Sequence, residues 1–160
     1  MLTTKPLTDW DIILGKYFAG MFLVLFSIVP TFLYFYTVYV LGAPPGNMDI
    51  GATWGSYLGL FMLASCFVSI GIFASTITSN QIVSFIASMF LCFFFFIVFD
   101  LFSDFKLLGT FDTVIQYLSM NTHYDSISRG VLDSRDVVYF VSFNMAFLWF
   151  TCISFASRKW

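Results

Sequence analysis

The chain has 160 residues, 59% of them hydrophobic and 22% aromatic, with 10% charged and a formal net charge of −2. An ordinary soluble domain is about 25% charged, so there is too little polar surface here to coat a fold in water, and the class is integral membrane protein. The small net charge, and the lack of any stretch both basic and aromatic, leave nucleic acid out as a partner.

Residues 1–16 read MLTTKPLTDWDIILGK. Thr8 followed by Asp11 is the pattern of a helix start, in which a hydroxyl and a carboxylate cap each other's backbone. Pro6 fits before such a helix and not within it. Trp10, Ile13, Leu14 and Tyr17 recur at helical spacing, while Asp9, Asp11 and Lys16 point elsewhere. The spacing predicts a short helix at the membrane surface feeding into the first span. On the residues alone it is either a juxtamembrane anchor with an interfacial Trp or a docking element for a cytoplasmic partner.

The first apolar run is 17–40. It exceeds the about 20 residues a bilayer crossing takes, and it is too long for the core of a cleavable signal. Backbone groups in hydrocarbon must be satisfied within the segment, so this run and the later ones are helices. Pro30 lies mid-span and predicts a kink. A turn-rich loop, 41–53, follows. The second run, 54–77, is led by Gly51, Gly55 and Gly59, whose spacing lets helix backbones approach closely. That fits packing inside one bundle or an interface between subunits. TSNQ at 78–81 is a tight turn, which makes the third run, 82–102, an antiparallel neighbour of the second. Asp100 near its end reads as a hydrated span end.

Residues 103–136 are polar but patterned. Phe111, Val114, Ile115 and Leu118 form an apolar stripe. Thr122 with Asp125, and Asp133 with Asp136, repeat the capping pattern. Tyr124, Ile127 and Val131 form an apolar side. Asp125 and Arg129 stand four apart, acid first, the favourable order in a helix. Gly130 marks a break or a close approach. The segment therefore reads as two short amphipathic helices at the membrane edge before the last run, 137–156. His123 has no partner at ligand or triad spacing and reads as an interfacial or hydrogen-bonded side chain. Lys5, Lys16, Arg158 and Lys159 flank the outer runs, against Lys106, Arg129 and Arg135 diluted among five aspartates on the other side. That asymmetry places both termini in the cytoplasm.

Cys66, Cys92 and Cys152 lie far apart in apolar runs and read as buried small hydrophobes, not as a metal site. There is no phosphate-binding G-x-x-x-x-G-K-[ST] loop, no G-x-S-x-G and no H-E-x-x-H. The chain is therefore expected to be no enzyme and to carry no cofactor. Any energy for active movement comes from another polypeptide.

Two stretches carry a resemblance. LTTKPLTDWDIILGKYFAG resembles the cytoplasmic linker of type 2 ABC transporter permeases, through Leu2, Pro6, Leu7, Thr8, Trp10, Asp11, Ile12, Gly15 and Lys16. HYDSISRGVLDSRDVVYF, at 123–140, resembles the same family's extracytoplasmic segment before its final span. Within the family the likeness is greatest to permeases associated with gliding motility. The resemblance implies a permease of the bacterial inner membrane that dimerises, as a homo- or heterodimer among membrane lipid, and couples to a separate ABC ATPase. It implies that Lys5, Pro6, Leu7, Thr8, Asp9, Trp10 and Asp11 contact that ATPase. It implies that His123, Tyr124, Asp125, Arg129, Gly130, Asp133, Arg135 and Asp136 shape the outer mouth of a translocation path. The family has six spans and this chain four, so it is expected to correspond to the C-terminal part, lacking the first two. A non-transporting scaffold of a motility or secretion machine is the alternative, since it needs only packing motifs. A secondary carrier is a third reading, but the four spans show no internal duplication.

Overall fold

The computed structural model describes residues 8–44, 46, 48–104 and 117–157. Helix α1, Asp9–Ile28, starts at a reciprocal cap. The Asp11 amide donates to Thr8 Oγ1 at 3.3 Å, and the Thr8 amide donates to the Asp11 carboxylate at 3.0 Å. The helix runs unbroken from this cap into the apolar run, so the expected surface helix and first span are one element. Proline has no amide hydrogen to continue the ladder, and α1 ends just before Val29–Pro30. Helix α2, Thr31–Leu41, resumes the crossing. The predicted kink is thus an interruption.

Helix α3, Ile50–Ile77, is capped by Asp49, whose carboxylate accepts the Ala52 amide at 3.0 Å. Helix α4, Gln81–Phe93, is capped by Asn80 and passes into a π-helical turn, Phe94–Val98, and then α5, Phe99–Asp104. Helix α6 is short, Met120–Ser128, and α7 is Ser134–Ser157. The stripe expected at Phe111, Val114 and Ile115 lies outside the described residues. α6 starts at Met120, with Ser119 at its cap position making no side-chain cap bond. Thr122 therefore does not cap a helix with Asp125. It is already inside one.

Four helical stretches are long and apolar enough to cross a membrane: Asp9–Leu41, Ile50–Ile77, Gln81–Leu101 and Ser134–Ser157. Their contacts fix the topology. A Cβ placed on Gly20 would meet Val68, and Tyr57 donates its hydroxyl to Thr31 O at 3.1 Å, so α1–α2 runs antiparallel to α3. Asn144 reaches Ser65 at 2.8 Å, and Ser154 reaches Thr76 O at 3.4 Å, so α7 runs parallel to α3. The start of α1 and the end of α7 consequently share one end of the bundle. The starts of α3 and α7 share the other, together with α6.

α3 is the central helix. Leu63, Cys66 and Ile70 on it pack with Phe140 and Phe147 of α7 and with Met120 and Ile127 of α6. An aromatic column closes the core, with Phe95 edge-on to Phe143 and Phe147 at 5.2 and 5.5 Å. Such pairs add about 0.5–1.5 kcal/mol beyond area burial. α4 buries no residue, and Ile82, Phe85 and Phe90 on it are about two-thirds exposed. An exposed apolar face of this kind marks contact with lipid or with another protein, and four helices here are long and apolar enough to cross a membrane. The architecture is that of an all-α integral membrane protein.

The α3 glycines meet α6. A Cβ on Gly55 would lie 2.5 Å from Ile127 O and 2.8 Å from Gly130 Cα, and one on Gly59 3.1 Å from the Ile127 side chain. A Cβ on Gly51 would touch only the Asp49 carboxylate, at 3.4 Å. Gly71, further along α3, has nothing within 4 Å. Gly55→Ala should therefore push α6 off α3 and destabilise the fold by about 1–3 kcal/mol. Gly71→Ala should be neutral or slightly stabilising through helix propensity. Thermal unfolding of the two variants in detergent, side by side, checks this.

Candidate functional site

Two parts of the chain carry polar chemistry at opposite ends of the bundle. At the end shared by the termini, Thr8, Trp10 and Asp11 are exposed on the first turns of α1, and Asp9 is half-buried. Lys5, Pro6 and Leu7 lie outside the described residues. The expected apolar stripe divides. Ile13 is buried and Tyr17 half-buried, while Trp10 and Leu14 stay exposed. An indole beside a carboxylate on a rigid, capped helix start is left open to contact.

At the other end α6 is tied to its surroundings on several sides. Ser56 of α3 donates to Ser128 O at 3.0 Å. Asn121 donates to the Asp100 carboxylate of α5 at 2.8 Å. Asp100 is thus engaged by a side chain of α6, and solvation of a span end is not its whole account. His123 Nδ1 lies 2.6 Å from Asp136 Oδ1 of α7, and its Nε2 lies 3.0 Å from Tyr117 O. The imidazole stacks on the Tyr139 ring, with centroids 4.1 Å apart and planes at 21°. Tyr139 donates its hydroxyl to Leu118 O at 2.6 Å.

His123 is hydrogen-bonded, one of the two roles its sequence context suggests, and its partner Asp136, thirteen positions on, faces it across the turn between α6 and α7. One expectation is corrected. Asp133 does cap α7, accepting the Arg135 amide at 3.0 Å. Asp136 does not return a cap bond, because its Oδ1 goes to His123 and its Oδ2 is buried without a partner. Asp125 and Arg129 form an exposed ion pair. Exposed pairs of this kind contribute a few tenths of a kcal/mol. Tyr124 packs on the Gly59 face of α3. Gly130, at φ +83°, makes the turn that a side chain would strain, and its amide donates to Ile127 O at 2.9 Å. Arg135 is exposed.

A third polar cluster is buried between α3 and α7 and was not singled out by motif. Asn144 donates to Ser65 Oγ at 2.8 Å and to Phe140 O at 2.9 Å, and also lies 3.4 Å from Cys66 Sγ. The sequence signal for it is the lone Asn inside the fourth apolar run, since an amide in hydrocarbon needs partners. Among the described residues no group of three or more His, Cys, Asp or Glu is placed to hold a metal ion. An apolar groove of about 530 Å³ lies between the first span and α3, lined by Leu25, Ile28, Phe32, Trp54, Phe61 and Leu132.

Tyr139→Phe keeps the ring stacked on His123 but leaves Leu118 O without its donor. The expected loss is about 1 kcal/mol, with faster hydrogen exchange confined to the 117–128 region. Exchange measured by mass spectrometry on the two proteins checks this.

A family model described as ABC-2 family transporter protein matches residues 1–156. No curated protein and no solved structure matches the chain. The match takes in all four apolar helices, the exposed start of α1 and the whole α6–α7 end. With nearly its entire length covered, the chain belongs to the ABC-2 family of transporters, as a multi-pass membrane permease component.

Proposed function

We propose that the chain is the membrane subunit of an ATP-driven exporter, coupled to a separate ABC ATPase through Lys5, Pro6, Leu7, Thr8, Asp9, Trp10 and Asp11. Family membership implies an ABC ATPase partner. The observation that supports this docking point is the unbroken α1, which starts at an exposed Trp10–Asp11 pair and buries Ile13 and Met21 on its way into the bundle. A displacement of its first turn by a nucleotide-driven partner moves a stiff rod packed on α3 and α7. A flexible linker would absorb that motion. The same reading makes the spans the last four of the family's six and puts both termini in the cytoplasm of a bacterium, across the inner membrane. It pairs the chain with a second permease, identical or related. It places α6 and the His123–Asp136 segment at the outer mouth. Service to gliding motility is part of the proposal and rests on the likeness of the two quoted stretches to permeases of that kind.

The test is co-purification from detergent-solubilised membranes with a tag after Trp160. An ABC ATPase is expected with the unaltered chain and is expected to be lost with Trp10→Ala/Asp11→Ala, while the amount of permease in the membrane stays the same and its stability falls only by the lost Asp11 cap. An ATPase retained by the double variant overturns the docking point. No ATPase from either protein, repeated with the coding sequence extended upstream, overturns the exporter and favours a scaffold. A deletion strain that still glides overturns the motility assignment alone.

A further inference from the structure

We propose that His123 is a protonation-dependent latch that holds α6 against α7. A neutral imidazole has one N–H, and so offers one donor and one acceptor. Both ring nitrogens of His123 face acceptors: Asp136 Oδ1 at 2.6 Å and the Tyr117 carbonyl at 3.0 Å. Only the doubly protonated ring donates to both, and the Asp136 carboxylate balances its charge. The His123 and Asp136 side chains are only 12% and 8% exposed, so water does not readily replace the bond between them, and an acceptor left facing an acceptor there is unfavourable; the bond to the Tyr117 carbonyl is exposed. Removal of one ring proton therefore releases one of the two ties. It frees either the grip on α7 or the grip on the segment that leads into α6.

The other charged and titratable groups nearby are otherwise engaged. On α6, Asp125 pairs with Arg129 at exposed positions, and Tyr124 packs on the glycine face of α3. On α7, Asp133 caps the helix, Arg135 is exposed, and Tyr139 gives its ring face to the imidazole and its hydroxyl to Leu118 O. From α5, Asp100 is bound by Asn121. α3 turns Gly55, Gly59 and Ser56 toward α6 and brings no charge. Asp136 is thus the ionic partner that faces the ring among the described residues, and protonation acts on the α6–α7 contact directly. This inference rests on the geometry alone and does not depend on the transport reading.

His123 is the chain's only histidine, so ¹⁵N-histidine labelling of the whole chain in lipid nanodiscs gives one ring to follow. As the pH is stepped upward from an acid end to an alkaline end, its ¹⁵N shifts report whether both ring nitrogens carry a proton or only one does. Nitroxides at Ser126→Cys and Arg135→Cys, on a Cys92→Ser/Cys152→Ser background, read the α6–α7 separation. Their distance distribution should be narrow at the acid end, and should broaden and lengthen in step with the ring. His123→Gln should remove the pH dependence. Asp136→Asn serves the same purpose if the first variant fails to fold. A ring in one protonation state throughout, a separation that ignores the ring's titration, or a pH dependence that survives the substitution each overturns the latch.

Discussion

At Gly55 there is no room for one more carbon. The backbone of α3 lies against the Ile127 carbonyl and the Gly130 Cα, and every other contact of α6 follows from that approach. Because the helix sits so close, Ile127 reaches the core beside Cys66 and Leu63, Ser56 reaches the Ser128 carbonyl, and the face carrying His123 is turned toward α7. Two glycines on separate segments make this possible: Gly55 supplies the flat surface, and Gly130 the left-handed turn that leads the chain away from it. Neither hydrogen bonds nor aromatic stacking would hold α6 in place at a greater separation, since both need near-contact geometry.

The rest of the bundle obeys the demands of hydrocarbon. Many serines and threonines inside the spans return their hydroxyls to their own helix, as Ser27 does to Leu23 O, Ser69 to Cys66 O and Thr151 to Phe147 O. Those set no register, whereas Ser56 and Ser154 cross to Ser128 O and Thr76 O. Asn144 cannot do this alone, for an amide has more hydrogen-bonding groups than one carbonyl satisfies. Its reach to Ser65 pins α7 to α3 at one height, while the aromatic column around Phe95, Phe143 and Phe147 fills the space beside it.

How much of this was legible depends on how local each cause is. The apolar runs were legible because lipid permits only helices, and the Thr8–Asp11 cap because its two halves are three residues apart. The limits of α1 were not, since Trp10 through Lys16 look like a surface helix and only the continuous ladder shows one rod. Thr122 and Asp125 match a capping pattern, but the chain already turns helical at Met120, and a short motif cannot tell a first turn from a second. His123 and Asp136 could not be paired from spacing, because the turn at Gly130 and the cap at Asp133 bring them together in space. Lys5, Pro6 and Leu7 rest on the resemblance alone.

The π-helical turn at Phe94–Val98 has a consequence for the phase of its helix. In a regular α-helix each residue advances about 100°, so two positions five apart end about 140° apart, on different sides. Phe95 and Asp100 are five apart. Phe95 faces the aromatic column and Asp100 faces Asn121, both toward the protein. A π turn bonds residue i to i+5 and brings such positions onto one side. The third span thereby does two things that uniform pitch would set against each other. It packs a phenyl ring against the core at one level, and one turn later it aims a carboxylate at α6 instead of into hydrocarbon.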